Sequence, residues 1–144
     1  MDAMKQMVDW GVIGLLFGLS IWAVAVALER FGYYRRLRPG EFRTRVELET
    51  ALTRRLVVIG TVAANAPYIG LLGTVLGIML TFQSMGAAGA MDVKSIMSGL
   101  ALALKATAMG LLVAIPCVAL NNVLRRRVRE RLAEFDAARE QAGG

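Results

Sequence analysis

Residues 56–85 read LVVIGTVAANAPYIGLLGTVLGIMLTFQSM, a stretch without a single charged side chain. At about 1.5 Å per residue, a helix over this stretch is longer than the roughly 30 Å hydrocarbon core of a bilayer. Pro67 does not exclude such a helix, because packed neighbours can satisfy the carbonyl group that a proline frees. We therefore predict a transmembrane helix over 56–85 that extends beyond the membrane.

Two further apolar runs flank this one, at 10–28 and 96–124, and the second of them contains Lys105 and Pro116. The chain is 56% hydrophobic with a mean hydropathy of +0.53, which is too apolar for an ordinary soluble domain. A cleaved signal peptide is the alternative for the first run, but a basic residue should then dominate its start. Only Lys5 offsets two aspartates there. The sequence predicts an all-α membrane protein with three transmembrane helices, the second and third extending into the cytoplasm.

Arginines mark two segments of the chain. Eight lie between residues 29 and 55 and six follow Leu124, whereas the segment before the first run and the segment 86–95 hold one lysine each. Positively charged loops stay on the cytoplasmic side. We therefore expect a periplasmic N-terminus and a cytoplasmic C-terminus, which agrees with an odd number of spans.

The chain is expected to form one membrane domain over 1–144. Pro39 and Gly40 should break the linker before an amphipathic helix over 41–56. The charged tail should continue the third helix, facing lipid headgroups or, as the alternative, a partner. The predicted segments are transmembrane helices at about 10–28, 56–85 and 96–124, a cytoplasmic linker at 29–55, a periplasmic turn at 86–95 and a cytoplasmic tail at 125–144.

Several classes of function are excluded by composition. There is no histidine and one cysteine, Cys117, so neither a metal site nor a disulfide framework is expected. No phosphate-binding loop or catalytic set is present. Basic residues beside membrane spans are topology signals and not a nucleic-acid surface. We predict a protein that is not an enzyme, without metal or cofactor.

Small and weakly polar residues form one stripe on each of the last two spans, at alternating spacings of four and three. Such stripes let helices approach closely in lipid, and close packing within one subunit is the simpler interpretation. The alternative is that part of the stripe lines a channel. The second span contributes Gly70, Thr74, Gly77, Thr81 and Ser84, with Gly73 beside them, and the third contributes Gly99, Ala103, Ala106, Gly110, Val113 and Cys117, with Thr107 beside them.

Neither of these spans contains an acidic residue. A proton relay inside a membrane needs a group that gains and loses protons. If the chain helps to conduct protons, the carboxylate must come from another chain. Thr74 and Thr107 could then hydrogen-bond to it or order water near it, but they cannot carry the proton themselves.

Lys105 is the one charge inside the apolar spans. It lies two residues from Thr107, about 200° around a helix, and so points away from any channel that Thr107 faces. Snorkelling to the headgroups, or pairing with lipid or a neighbouring subunit, is favoured over a direct role in transport.

Two motifs carry a resemblance to a known family. Residues 65–78, NAPYIGLLGTVLGI, resemble the second-span signature of the ExbB/TolQ/MotA proton-channel family. Residues 103–116, ALKATAMGLLVAIP, resemble the third-span motif A-L-x-A-T-A-x-G-L-x-x-A-I-P. The short linker is most similar to that of a compact ExbB.

The resemblance implies a pentameric ring in the bacterial inner membrane, enclosing single-span helices of an ExbD-like or TolR-like partner. The partner's aspartate would titrate as protons pass, and the work would reach a TonB-like protein. Thr74 and Thr107 match the family's pore-facing threonines. Larger relatives carry a glutamate at the position of Leu102, and an apolar residue at that of Lys105.

Three hypotheses follow. The first is an ExbB-like subunit that turns proton flow into work for TonB-dependent outer-membrane transport. The second is a TolQ-like subunit that serves envelope integrity. The third is a membrane scaffold without ion passage, which the threonine motifs disfavour.

Overall fold

The computed structural model describes residues 2–89 and 92–143, and every regular element in these ranges is helical. Residues 90 and 91 of the predicted turn and residue 144 of the predicted tail lie outside the described residues. Three of the helices are long and apolar enough to cross a membrane, which confirms the predicted fold class. The helices are α1 (Asp2–Arg36), α2 (Arg45–Thr53), α3 (Leu56–Ala88) and α4 (Val93–Gly143), and a 3-10 turn occupies Pro39–Glu41.

Helices α3 and α4 continue without interruption through their internal prolines, Pro67 and Pro116. α4 has 51 residues and includes the described part of the charged tail, as predicted. The connection between the two helices is shorter than 86–95. Gly89 ends α3 in the left-handed conformation (φ +68°), where a side chain would be strained, and its amide donates to the Met85 carbonyl at 3.1 Å.

The linker helix α2 is shorter than the predicted helix over 41–56. It begins at a capping threonine, because Thr44 Oγ1 accepts a hydrogen bond from the Glu47 amide at 3.1 Å. It ends before Arg55, whose φ of +66° turns the chain into α3. A left-handed residue cannot continue a helix, so α2 and α3 are separate.

The three long helices lie side by side, with α3 and α4 forming the most extensive contact and α1 packing across both. One end of this bundle, here called the arginine-rich end, carries α2 and the tail half of α4. The other, here called the turn end, brings Lys5 of α1 close to Lys94 and Ser95 of α4.

Two apolar clusters stabilise the bundle. At the arginine-rich end Leu48 and Leu52 of α2 are buried with Leu56, Leu124 and residues further along α4. Nearer the middle, small side chains around Ala66 and Cys117 form the second cluster. Large apolar side chains on the outer faces remain exposed, as lipid-facing residues should be, among them Trp10, Phe17, Trp22, Leu72, Leu112 and Ile115.

Candidate functional site

The two predicted stripes face each other across the α3–α4 interface. Gly70 lies so close to α4 that a Cβ there would come within 2.7 Å of the Ala106 carbonyl oxygen. A Cβ on Gly110 would come within 2.7 Å of the Ala66 carbonyl oxygen. The stripes therefore pack within one chain, which is the simpler of the two interpretations that the sequence left open.

The remaining stripe residues follow the same register towards the turn end. A Cβ on Gly77 would meet the Ala103 methyl at 3.0 Å, and one on Gly99 would lie 2.5 Å from Thr81 Oγ1. Thr81 is 1% exposed and donates to the Gly77 carbonyl at 2.8 Å. Gly73 lies one residue off the stripe and packs against Val12 of α1 as well as Ala106.

Thr74 and Thr107 meet in this interface, and their hydroxyl groups are in hydrogen-bonding contact. Thr74 is buried, whereas Thr107 is half-buried. Thr74 Oγ1 also lies 3.0 Å from the Ala103 carbonyl and 3.3 Å from the Gly70 carbonyl. The structure thus brings together the two threonines that the sequence singled out, and it does so within one chain.

The hydrogen bonds leave the two hydroxyl groups with different choices of acceptor for their protons. Thr74 has one hydroxyl proton, and carbonyl oxygens, which can only accept, surround it. With that proton directed at Ala103, Thr74 can only accept from Thr107. The Thr107 hydroxyl either donates to Thr74 or turns its proton towards a group outside the chain. Thr74 is thus the fixed member of the pair and Thr107 the adjustable one.

Lys105 lies on the exposed face of α4. Among the described residues, no carboxylate lies within ion-pairing distance of its ammonium group. The structure does not bring Lys105 and the threonine pair together, and its role remains a prediction. Among the described residues, no three histidine, cysteine or acidic side chains lie close enough together to hold a metal.

Arg30 is a structural residue that the sequence analysis missed. It is only 5% exposed and donates to the Ala51 carbonyl at the end of α2, at 3.1 Å. Tyr34, one turn further along α1, donates to the Leu52 carbonyl. In the sequence Arg30 is one of eight arginines between residues 29 and 55 that indicate topology. Only its position four residues before Tyr34, on the same helix face, distinguishes it.

Three helices long and apolar enough to span a membrane, with a threonine pair in the α3–α4 interface, define a multi-pass membrane protein. The family model for the MotA/TolQ/ExbB proton channel family matches residues 38–137. The chain belongs to the MotA/TolQ/ExbB proton channel family, and it is a multi-pass inner-membrane protein.

The similar proteins share most of the chain's length. "Biopolymer transport protein ExbB" of Aquifex aeolicus is 51% identical over 137 residues, which is 95% of this chain and 93% of that protein. "Putative biopolymer transport protein ExbB-like 2" of Helicobacter pylori is 51% identical over 92% of this chain and 89% of its own length. "Tol-Pal system protein TolQ" of Haemophilus influenzae is 45% identical over 57% of this chain and 36% of its own length. The resemblance to a short ExbB is confirmed.

Proposed function

We propose that this chain is the ring-forming stator subunit of an inner-membrane proton-driven motor. Together with an ExbD-like single-span partner, it uses the proton-motive force to energise TonB-dependent transport across the outer membrane. One observation carries the proposal. Thr74 and Thr107 form a hydroxyl pair at mid-span, on two helices whose apolar spans contain no carboxylate.

The chemistry of the pair suits a carboxylate supplied by the partner. With Thr74 held by the Ala103 carbonyl, Thr107 can donate its proton to an ionised acid. When that acid is protonated, it donates to the Thr107 oxygen instead. The Thr107 hydroxyl then rotates and donates its hydrogen bond to Thr74. The pair therefore stabilises both protonation states of the partner's aspartate without carrying the proton itself.

The surroundings of the pair support a partner made of one apolar helix. Thr107 is half-buried, and Leu104 and Leu111, which lie about one helical turn before and after it on the same side of α4, are exposed and apolar. An apolar helix with a single acid would pack on these leucines and place its carboxylate at the hydroxyl. A ring of copies around such helices, five by the family resemblance, would form the pore.

The arginine distribution supports a periplasmic N-terminus and a cytoplasmic C-terminus. In this orientation the arginine-rich end lies at the cytoplasmic headgroups, where its guanidinium groups would contact lipid phosphates. The turn end would face the periplasm and the TonB-like client.

The extent of the similarities favours the ExbB role over the TolQ role. The similar ExbB of Aquifex aeolicus is matched over 93% of its length, whereas the TolQ of Haemophilus influenzae is matched over 36%. A TolQ-like subunit of an envelope-integrity system remains the second candidate, because the matched TolQ segment is 45% identical.

The test is proton flux into proteoliposomes that contain this chain and an ExbD-like partner. Thr107→Val should lower the flux roughly tenfold to hundredfold, because a hydrogen bond to a charged group contributes about 1.5–3 kcal/mol. Thr107→Ser should keep it. Thr61→Val is the matched control, since Thr61 is an exposed threonine of α3 away from the pair. Equal flux in wild type and Thr107→Val would contradict the proposal and favour a scaffold.

A further inference from the structure

A small cavity lies at the turn end, where the three long helices meet. Its walls include Lys5 and Asp9 of α1, Gly77 and Thr81 of α3, and Leu102 and Ala103 of α4. It leaves about 20 Å³ for water centres, which is room for a single water molecule. Polar groups from two helices line it, so a water there would have hydrogen-bond partners.

The cavity adjoins the threonine pair. Gly77 lies three residues after Thr74 on α3, and Ala103 lies four residues before Thr107 on α4, so the cavity is about one helical turn, or roughly 5 Å, from the pair. Ala103 belongs to both places, because its carbonyl accepts the Thr74 hydroxyl. On α1 the same register brings Val12 against Gly73. Asp9, three residues before Val12, thus lies between the turn-end surface and the hydroxyl pair.

Asp9 is half-buried, and among the described residues no basic group lies within 4.0 Å of its carboxylate and no donor bonds to it. The other charged group that lines the cavity is Lys5, one helical turn before Asp9 on the same face of α1. The α3 and α4 walls are apolar apart from Thr81, and Lys94 lines the neighbouring groove with Lys5. Among the described residues, therefore, neither an ion pair nor a helix cap explains why a carboxylate occupies position 9.

We infer that Asp9 is the proton-accepting group at the turn-end mouth of the pathway that leads to Thr74 and Thr107. This inference rests on the proposed function. The carboxylate takes up a proton from the aqueous phase beyond Lys5 and returns it to water in the cavity, so it ends in the charge state in which it began. The proton then moves on to the partner's carboxylate at the threonine pair. The apolar spans of α3 and α4 contain no acid, and α1 thus supplies the entry acid.

The test uses the complete complex with its partner in proteoliposomes. Asp9→Asn, which keeps the shape of the side chain, should lower proton flux roughly tenfold or more, since a positioned acid–base group contributes at least that much. Asp9→Glu should restore flux to within about threefold of wild type. Asp92→Asn is the matched control. It removes a carboxylate at the same end, which accepts from the Lys94 amide in the first turn of α4 at 3.3 Å, and asparagine also caps helices.

The results separate the two proposals. Reduced flux in Asp9→Asn, with normal flux in Asp9→Glu and Asp92→Asn, supports the inference. Wild-type flux in Asp9→Asn beside a defective Thr107→Val overturns the inference and leaves the proposed function intact. A wild-type complex without flux overturns both. If Asp9→Asn does not assemble in detergent, Asp9→Ser provides a second neutral variant, and wild-type flux in that variant overturns the inference equally.

Discussion

Gly70 and Gly110 lie against each other with no side chain between them. A Cβ on Gly110 would come within 3.0 Å of Gly70 Cα, which is closer than ordinary van der Waals contact. Since lipid gives helices no hydrophobic reason to associate, this approach is stabilised by packing and by interhelical hydrogen bonds. It is the approach that lets the Thr74 hydroxyl reach the Ala103 carbonyl of α4.

Gly110→Ala should therefore destabilise the protein. A methyl group there would lie 2.7 Å from the Ala66 carbonyl oxygen, and backbone cannot move aside as a flexible side chain can. We expect a loss of about 1–3 kcal/mol, as for other overpacked sites, seen as a lower midpoint of thermal unfolding in detergent.

Gly18→Ala is the control for this change, because a Cβ on Gly18 of α1 would meet nothing within 4 Å. Alanine has the higher helix propensity, so this variant should be as stable as wild type or slightly more so. A Gly110→Ala protein that unfolds at the wild-type temperature would show that the two helices are farther apart than described.

Lys105→Met should leave proton flux and assembly close to wild type. Its ammonium group is on the exposed face of α4, away from the threonine pair, and methionine keeps the length and the apolar stem of the side chain. Flux into proteoliposomes is the measurement. A defect as large as that expected for Thr107→Val would assign Lys105 a direct part in transport.

The stripes could be predicted from the sequence because their spacing alone fixes which residues share one face of a helix. That these faces would meet each other, Gly70 on Gly110 and Thr81 on Gly99, was one of two interpretations, and the structure supports it. A helix-length apolar run likewise predicts a span without any knowledge of its neighbours.

The position of α1 could not be predicted in the same way. Nothing in the sequence around Asp9 indicates that it lies beside Gly77, because register between two helices depends on packing and not on the periodicity of either one. Arg30 shows the same limit. Its burial depends on α2 folding back over it. The linker's composition predicts a helix there but not which way that helix runs relative to α1.

Arg30→Met should loosen α2 from the bundle. The guanidinium group donates to the Ala51 carbonyl, lies 3.3 Å from the Glu29 carboxylate and stacks 4.5 Å from the centre of the Tyr33 ring. Loss of a charge-assisted bond costs about 1.5–3 kcal/mol. Hydrogen exchange of the backbone amides in α2 should become faster, while exchange in the α3–α4 contact should stay unchanged.

Arg36→Met provides the matched control for this experiment. Arg36 is exposed at the end of α1 and has no carboxylate partner among the described residues. Its replacement should leave amide exchange in α2 at the wild-type rate. Faster exchange in both variants would indicate a general effect of charge at this end instead of the contacts of Arg30.

Arg55→Gly and Arg55→Ala should differ in stability although both remove the same side chain. Arg55 has a φ of +66°, which glycine adopts without strain and alanine does not. The ion pair with Glu29 is lost in both variants and joins side chains that are about half exposed, so it contributes little. We expect Arg55→Ala to be less stable than Arg55→Gly by about 1–2 kcal/mol, measured as the difference in unfolding free energy in detergent. Because the lost side chain cancels in this comparison, equal stabilities would mean that the chain does not pass from α2 to α3 through a left-handed residue.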